Sequence, residues 1–368
     1  MSNSQAKPDS LLVEVTESPD SFEANWNLSE YFFAAGNMEA GYPYLKAALD
    51  LEPAHAAGHN QMGVYYFRHG RMEEAERSFM QALQSEFDLL DAHFNLASLY
   101  HETGRFGRAL SFYKEVLQAR PDDAEVLARM GNCMLATDAP DDAAVLFGEA
   151  LRLAPGSLDA AVGLSNVLLG QGKQEDAIKV LLGLLEHNPD VPPAVHFTTG
   201  LLFEGQGQYR VAMTHLRDAV VADEQNEEAF LHLGRCARFL NMGEEALSFL
   251  ARAVKIAPDF SEAIFEMGQA YFDLNQTENA VTAFQECLRV LAKKREQASQ
   301  WGDATDDSED ALIFNAIGYC HLQQGDHEAA RAAWEKSLAL DPNQTHIAEA
   351  IADLPRPLHK PVSLTIDE

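Results

Sequence analysis

Histidine, cysteine and paired acidic side chains are the groups in this chain that have the means to ligate, attack or shuttle protons. It carries thirteen histidines and four cysteines. A zinc-protease helix needs His-Glu-x-x-His. The nearest candidate, His327-Glu328, is followed by Ala329, Ala330 and Arg331. The cysteines, Cys133, Cys236, Cys287 and Cys320, are far apart, so zinc-ribbon and thioredoxin-type CxxC chemistry has no basis. GQGKQ at Gly170–Gln174 lacks the first glycine of a phosphate loop at the required spacing, and Gln174 stands where Ser or Thr would hold magnesium. Carboxylate pairs such as Glu73-Glu74 and Glu244-Glu245 have the pattern of solvated helix faces. No Ser-His-Asp or Cys-His set has independent support. No catalytic residue, metal ligand or cofactor is therefore expected.

Composition narrows the partners. Against 57 Asp and Glu there are 27 Lys and Arg, a formal charge of -30. Such a surface repels nucleic-acid phosphates and anionic lipid headgroups. With 46% apolar residues the chain can build a core. No apolar run reaches the roughly 18 residues of a membrane helix, and the N-terminus lacks the apolar core of a secretory signal. A cytoplasmic protein with reduced thiols is expected, with no nucleic-acid partner and no membrane insertion.

What positions all these groups is a period of 34 residues. Ala75, Ala109, Ala143 and Ala177 follow one another at that interval. Nine repeats can be laid out from Phe22, Ala56, Leu90, Ala124, Leu158, Pro193, Glu227, Ser261 and Ala311. The eighth place of each is small, as in Gly63, Gly131 and Gly318. The twentieth is Ala in eight repeats and Gly41 in the first. The twenty-fourth is large and apolar, as in Phe79, Phe147 and Trp334. Small residues let two helices approach closely, and a large side chain would push them apart. The fifteenth place reads Gly36, Gly70, Gly104, Asp138, Gly172, Gly207, Asn241, Asn275 and Gly325, the residues that tolerate the left-handed end of a helix. Proline at the thirty-second place in six repeats stops the second helix.

These residues resemble the tetratricopeptide repeat, a 34-residue helix-turn-helix unit, across residues 22–344. The resemblance implies an all-α, right-handed superhelix of antiparallel helix pairs, with helix A of each repeat on the concave side. Around the array, residues 1–21 and 355–368 are expected to be flexible. An insertion at about 292–310 is expected to prolong a helix B and then form an acidic loop. Residues 345–354 are expected to close the array as a capping helix. Asp20 and Glu23 are expected to form a capping box on the first repeat helix.

In that family, places two, five, nine, twelve and thirteen of helix A face the groove. Carried over, they include Trp26, Phe33, Asn60, Phe67, Arg68, Phe94, His101, Asn132, Asn166, Phe197, Arg235, Arg238, Phe265, Phe272 and Tyr319. Aromatic residues and Arg concentrate binding energy at interfaces. Arg235 and Arg238, one turn apart, read as a local positive island for a carboxylate-bearing segment. His59, His93 and His196 share the fourth place of their repeats, and the first two belong to neighbouring repeats. The function expected is a non-enzymatic scaffold or adaptor that binds a partner peptide or helix in its groove. The alternatives are a self-assembling repeat protein, forming homo-oligomers, and a regulatory subunit of an enzyme complex.

Overall fold

The computed structural model describes residues 8–300 and 308–355. The described chain is helical, with no strand among the described residues. It divides into two compact bodies, 1–189 and 190–368.

In the N-terminal body, α1 (Pro8–Glu17) precedes five helix pairs. They are α2 (Phe22–Ala34) with α3 (Met38–Leu51), α4 (Ala56–Arg68) with α5 (Met72–Ser85), α6 (Leu90–Glu102) with α7 (Phe106–Ala119), α8 (Ala124–Ala136) with α9 (Pro140–Leu153), and α10 (Leu158–Gly170) with α11 (Gln174–His187). The C-terminal body holds four pairs and a closing helix. The pairs are α12 (Pro193–Gly205) with α13 (Tyr209–Ala222), α14 (Glu227–Phe239) with α15 (Gly243–Ile256), α16 (Ser261–Asp273) with α17 (Thr277–Gln300), and α18 (Ser308–Gln323) with α19 (His327–Leu340). Helix α20 (Thr345–Asp353) closes it and buries Ile347.

The pairs turn where the sequence placed Gly, Asn or Asp. Among the described residues, positive φ occurs at those nine fifteenth places and nowhere else, from 59° at Asn241 to 78° at Gly325. At Gly70 (φ 71°) the left-handed residue lets Arg71 N–H donate to Tyr66 O at 2.9 Å and Gly70 N–H to Phe67 O at 3.1 Å. Those bonds satisfy carbonyls that the helix end leaves open.

Within a pair the large side chain of helix B fills the space left by the small residue of helix A. All nine residues at the twenty-fourth place are at most 1% exposed, from Leu45 to Trp334. A methyl group added to Gly131 would lie 2.6 Å from the Phe147 ring, well inside contact distance. The same ring lies against Gly163 of the next repeat, so one phenyl group joins two repeats. Polar bonds join repeats as well. Glu76 accepts from the Tyr100 hydroxyl at 2.8 Å and from Arg105 Nη1 at 2.7 Å, and the Arg105 guanidinium lies 4.4 Å above the Tyr100 ring.

Three details depart from the sequence expectation. Residues 8–17, inside the segment read as flexible, form α1 and bury Leu11. The cap of α2 is Ser21 rather than Asp20: its hydroxyl accepts from Ala24 N–H at 3.3 Å and donates to Glu23 at 3.2 Å. Asn25 then ties the entry by donating to Pro19 O and Ser21 O. Helix α17, the helix B that precedes residue 301, has 24 residues where α15 has 14. Of the expected acidic loop, residues 308–310 are the first turn of α18 and 301–307 lie outside the described residues. The tail from 356 also lies outside them.

Two outcomes are expected. Gly131→Leu should lower stability by at least about 1–3 kcal/mol through overpacking, and Glu73→Ala, on an exposed position, should stay within about 0.5 kcal/mol; chemical denaturation of both variants checks the difference. The second concerns acid. Burial pushes the Glu76 carboxyl up, but the Tyr100 and Arg105 hydrogen bonds outweigh it and hold its pKa below the usual value. Its stabilisation is therefore present above the unfolded value of about 4.3 and lost as pH falls through the lower folded value. Glu76→Gln should melt lower than the parent at neutral pH, with the gap closing below about pH 4. A gap of constant size across that range would assign the loss to shape rather than charge.

Candidate functional site

A cleft of the C-terminal body forms where the repeat is interrupted. Helices α14, α16, α17 and α18 surround about 400 Å³. Its floor is apolar: Leu231, Cys287, Leu291 and Ile313 are buried, and Phe265 leans on Phe284 at 5.4 Å between ring centres. Leu312 stands at its edge, 62% exposed. Glu262 and Glu309 are exposed beside it. The lengthened α17 is braced against the start of α18 by a two-point ion pair, with Arg295 Nη1 and Nη2 donating to Asp310 at 3.0 and 2.6 Å.

One flank of the cleft is a row of charges shared between repeats. Glu204 of α12 lies 2.6 Å from His232 Nδ1 and 3.6 Å from Arg235 Nε. Glu266 of α16 lies 3.3 Å from Arg235 Nε and 3.1 Å from Arg238 Nε. Asp273 takes Arg238 Nη1 at 3.2 Å. Glu204 and Glu266 are only 10% and 14% exposed. The two arginines are thus held by three carboxylates and do not form a bare positive island. The physical reason is adjacency of repeats: an acid on each neighbouring helix A reaches the guanidinium between them. Arg235 Nε makes no aligned hydrogen bond despite these distances.

The remaining sequence-derived groove residues divide by environment. Phe67, Phe94 and Phe272 are half-buried against the cores of their bodies. Phe94 meets Tyr113 edge-on, with the Arg129 guanidinium 5.2 Å from its ring. His101 packs against Phe106, and Phe197 against His232. Arg68 and Asn166 are exposed, and Asn132 is half-buried. Tyr319 is 39% exposed and meets Trp334 edge-on. Asn60 accepts from Asn95 Nδ2 at 3.0 Å across two repeats. With Trp26 and Phe33 it lines a second cleft, of about 750 Å³, in the N-terminal body, which Leu11 of α1 also reaches.

The other candidate groups are used locally. His59 Nε2 lies 2.8 Å from Pro53 O and His93 Nδ1 3.2 Å from Leu89 O. Burial pushes the thiols of Cys133 and Cys320 up to about 11 and those of Cys236 and Cys287 to about 12. A thiol held so far above neutrality supplies almost no thiolate for attack or exchange.

Sequence reasoning missed Glu204, Glu266 and Asp273. A usable signal exists: an acidic residue and a nitrogen-bearing partner 28 residues apart, as in Glu204–His232, Arg238–Glu266 and Arg217–Glu245. That separation carries a residue late in one helix to one earlier in the corresponding helix of the next repeat.

Stacked helix pairs joined by left-handed turns, with a cleft across successive A helices, define a helical-repeat protein of the kind that presents an extended interaction surface. Tetratricopeptide repeat profiles match residues 30–89, 60–124, 134–197, 197–259, 261–290 and 311–344. The chain belongs to the tetratricopeptide repeat family. It is 26% identical over 115 residues to the TPR repeat-containing protein YpiA of Bacillus subtilis (strain 168), a match covering 31% of this chain and 27% of that protein. Its fold is similar to the C-terminal part of a TPR repeat-containing protein from Cytophaga hutchinsonii, at a TM-score of 0.53 and 15% identity over 70% of this chain and 99% of that one. A tetratricopeptide repeat protein from Parabacteroides merdae matches at a TM-score of 0.47 and 21% identity, over 68% of this chain and 98% of that one. These likenesses concern the fold alone. No helix among the described residues is long and apolar enough to cross a membrane.

Removing one arginine from the charge row should be felt in stability. Arg238→Ala leaves the half-buried Glu266 with Arg235 alone and should cost about 1–3 kcal/mol, the range for a poorly satisfied polar group. Arg152→Ala breaks a solvent-exposed pair with Glu149 and should leave stability nearly unchanged. Urea unfolding of the two variants checks the contrast.

Proposed function

We propose that the chain is a non-catalytic interaction scaffold, and that its C-terminal body binds a partner peptide through the cleft between α14, α16 and α18. The observation that carries this reading is an apolar floor open to solvent beside an unusually exposed leucine, Leu312. A partner's apolar side chain in that cleft would remove both surfaces from water, at about 25 cal/mol per Å² of apolar area. Five of the twelve lining residues stand at the second, fifth and ninth places of their helices, where the family resemblance puts its groove: Glu262 and Leu312, Leu231 and Phe265, and Arg235.

Charge shapes the preferred ligand. Arg235 and Arg238 already face Glu204, Glu266 and Asp273, which weakens the case for a carboxylate ligand. Glu262 and Glu309 add negative charge at the mouth. The complementary segment has an apolar anchor flanked by Lys or Arg. Such complementarity acts on encounter rate and partner choice more than on raw affinity.

The test is selection from a displayed random-peptide library on the whole chain. Enriched peptides should pair an apolar residue with basic neighbours. Leu312→Asp should weaken them by about tenfold or more, equivalent to about 1.4 kcal/mol, while leaving the melting temperature unchanged. Binders that ignore Leu312→Asp and Phe265→Ala would place recognition elsewhere and overturn the assignment of this cleft.

A further inference from the structure

One seam inside each helix pair is wholly apolar in five of the nine repeats, and the sixth is the repeat that places histidine on both sides of it. The fourth place of helix A faces the twenty-third place of helix B. That seam is apolar in Leu127 with Leu146, Ala161 with Val180, Phe230 with Phe249, Ile264 with Ala283 and Phe314 with Ala333, while the first repeat pairs Asn25 with Tyr44 and the second His59 with Ser78. In the third repeat His93 meets Phe112 there, at 5.8 Å between ring centres. In the sixth repeat both places are histidine: His196 on α12 and His215 on α13, with ring centres 6.0 Å apart. Asp218 follows His215 by three residues, on the same face of α13.

Each imidazole has one nitrogen without a hydrogen bond. His196 Nδ1 and His215 Nδ1 are both buried and make no hydrogen bond. In the third repeat the single His93 instead bonds to a backbone carbonyl. Two unsatisfied nitrogens in one seam are costly unless something fills the gap. The Asp218 carboxylate lies 3.7 Å from His196 Nδ1. One nitrogen from each ring and one Asp218 oxygen all lie within 4.8 Å of one another. An ion with bonds near 2.1 Å holds its donor atoms about 3–3.5 Å apart, so modest side-chain rotations close the set.

We propose that His196, His215 and Asp218 bind one divalent transition-metal ion of the zinc class, clasping α12 to α13. Two imidazoles and a carboxylate suit such an ion, and leave at least one coordination position open to water or to a further ligand. Asp218, 54% exposed, offers the path from solvent. The site stands apart from the cleft proposed for peptide binding, so either can fail without the other.

The experiment is a titration of the full chain, stripped with chelator, with Co2+ followed by its visible absorption and then by displacement with Zn2+. One ion per chain is expected, and zinc should raise the melting temperature. His215→Asn should weaken binding by at least the tenfold to about 100-fold typical of losing a ligand's support. His346→Asn, exposed on α20, should change nothing. The double variant His196→Leu with His215→Phe builds the apolar seam found in five other repeats, so it should fold and melt normally without zinc yet lose the Co2+ band and the zinc-induced rise. Failure of the parent chain to bind, or binding that survives in the double variant, overturns the proposal.

Discussion

Every repeat depends on one steric relation: a small or absent side chain on helix A and a large one supplied by helix B. Phe147 shows why. Its ring occupies the space where Gly131 has no Cβ, and it also touches Gly163 of the following repeat. The small residue therefore sets the distance between helices in its pair, and the large residue sets the distance to the next pair. Neither helix can bury its apolar stripe alone, so the relation has to recur for the stack to hold together. The alanines of the twentieth place, all fully buried, keep the same approach close one turn away.

Repetition made this relation legible. A single glycine at Gly70 is ambiguous between a turn and a catalytic loop, but nine residues of one conformational class at one interval are not. Asp138, Asn241 and Asn275 are the instructive members, because they adopt φ near 60° without being glycine. Their short polar side chains make that region accessible. The fold is thus written in constraints local to each repeat. Helix α1 escaped notice because it has no counterpart in the period, and its one deeply buried residue, Leu11, packs as a terminal addition. The true cap at Ser21 escaped because Asp20 has the same capping chemistry one residue earlier.

The charge row was harder to read for a different reason. Arg235 and Arg238 look isolated in a linear acidic sequence. Their partners, Glu204, Glu266 and Asp273, lie on the preceding or following helix A, and only stacking brings them within 3.1 to 3.6 Å. A place-by-place projection says which face a residue occupies but not what the neighbouring repeat offers there. In a chain of charge -30, a basic residue on such a face has many acids within reach. Arginine identity alone is then a poor guide to ligand charge, and the sign of the site follows from the acids left over.

Both sites argued for this molecule fall where the repeat departs from itself. The cleft lies where α17 runs on for 24 residues and an ion pair, Arg295 with Asp310, holds the lengthened helix to the start of the next pair. The histidine pair lies where an apolar seam is replaced by two imidazoles with unpartnered nitrogens. A repeat protein is stabilised by sameness, because each interface reuses a packing solution that already works. A departure that leaves a solvent-open apolar floor or an unsatisfied buried nitrogen works against that stability. Locally inconsistent positions of this kind are where functional sites are expected, and in a nine-fold repeat the consistent copies supply the internal standard against which the departures can be recognised.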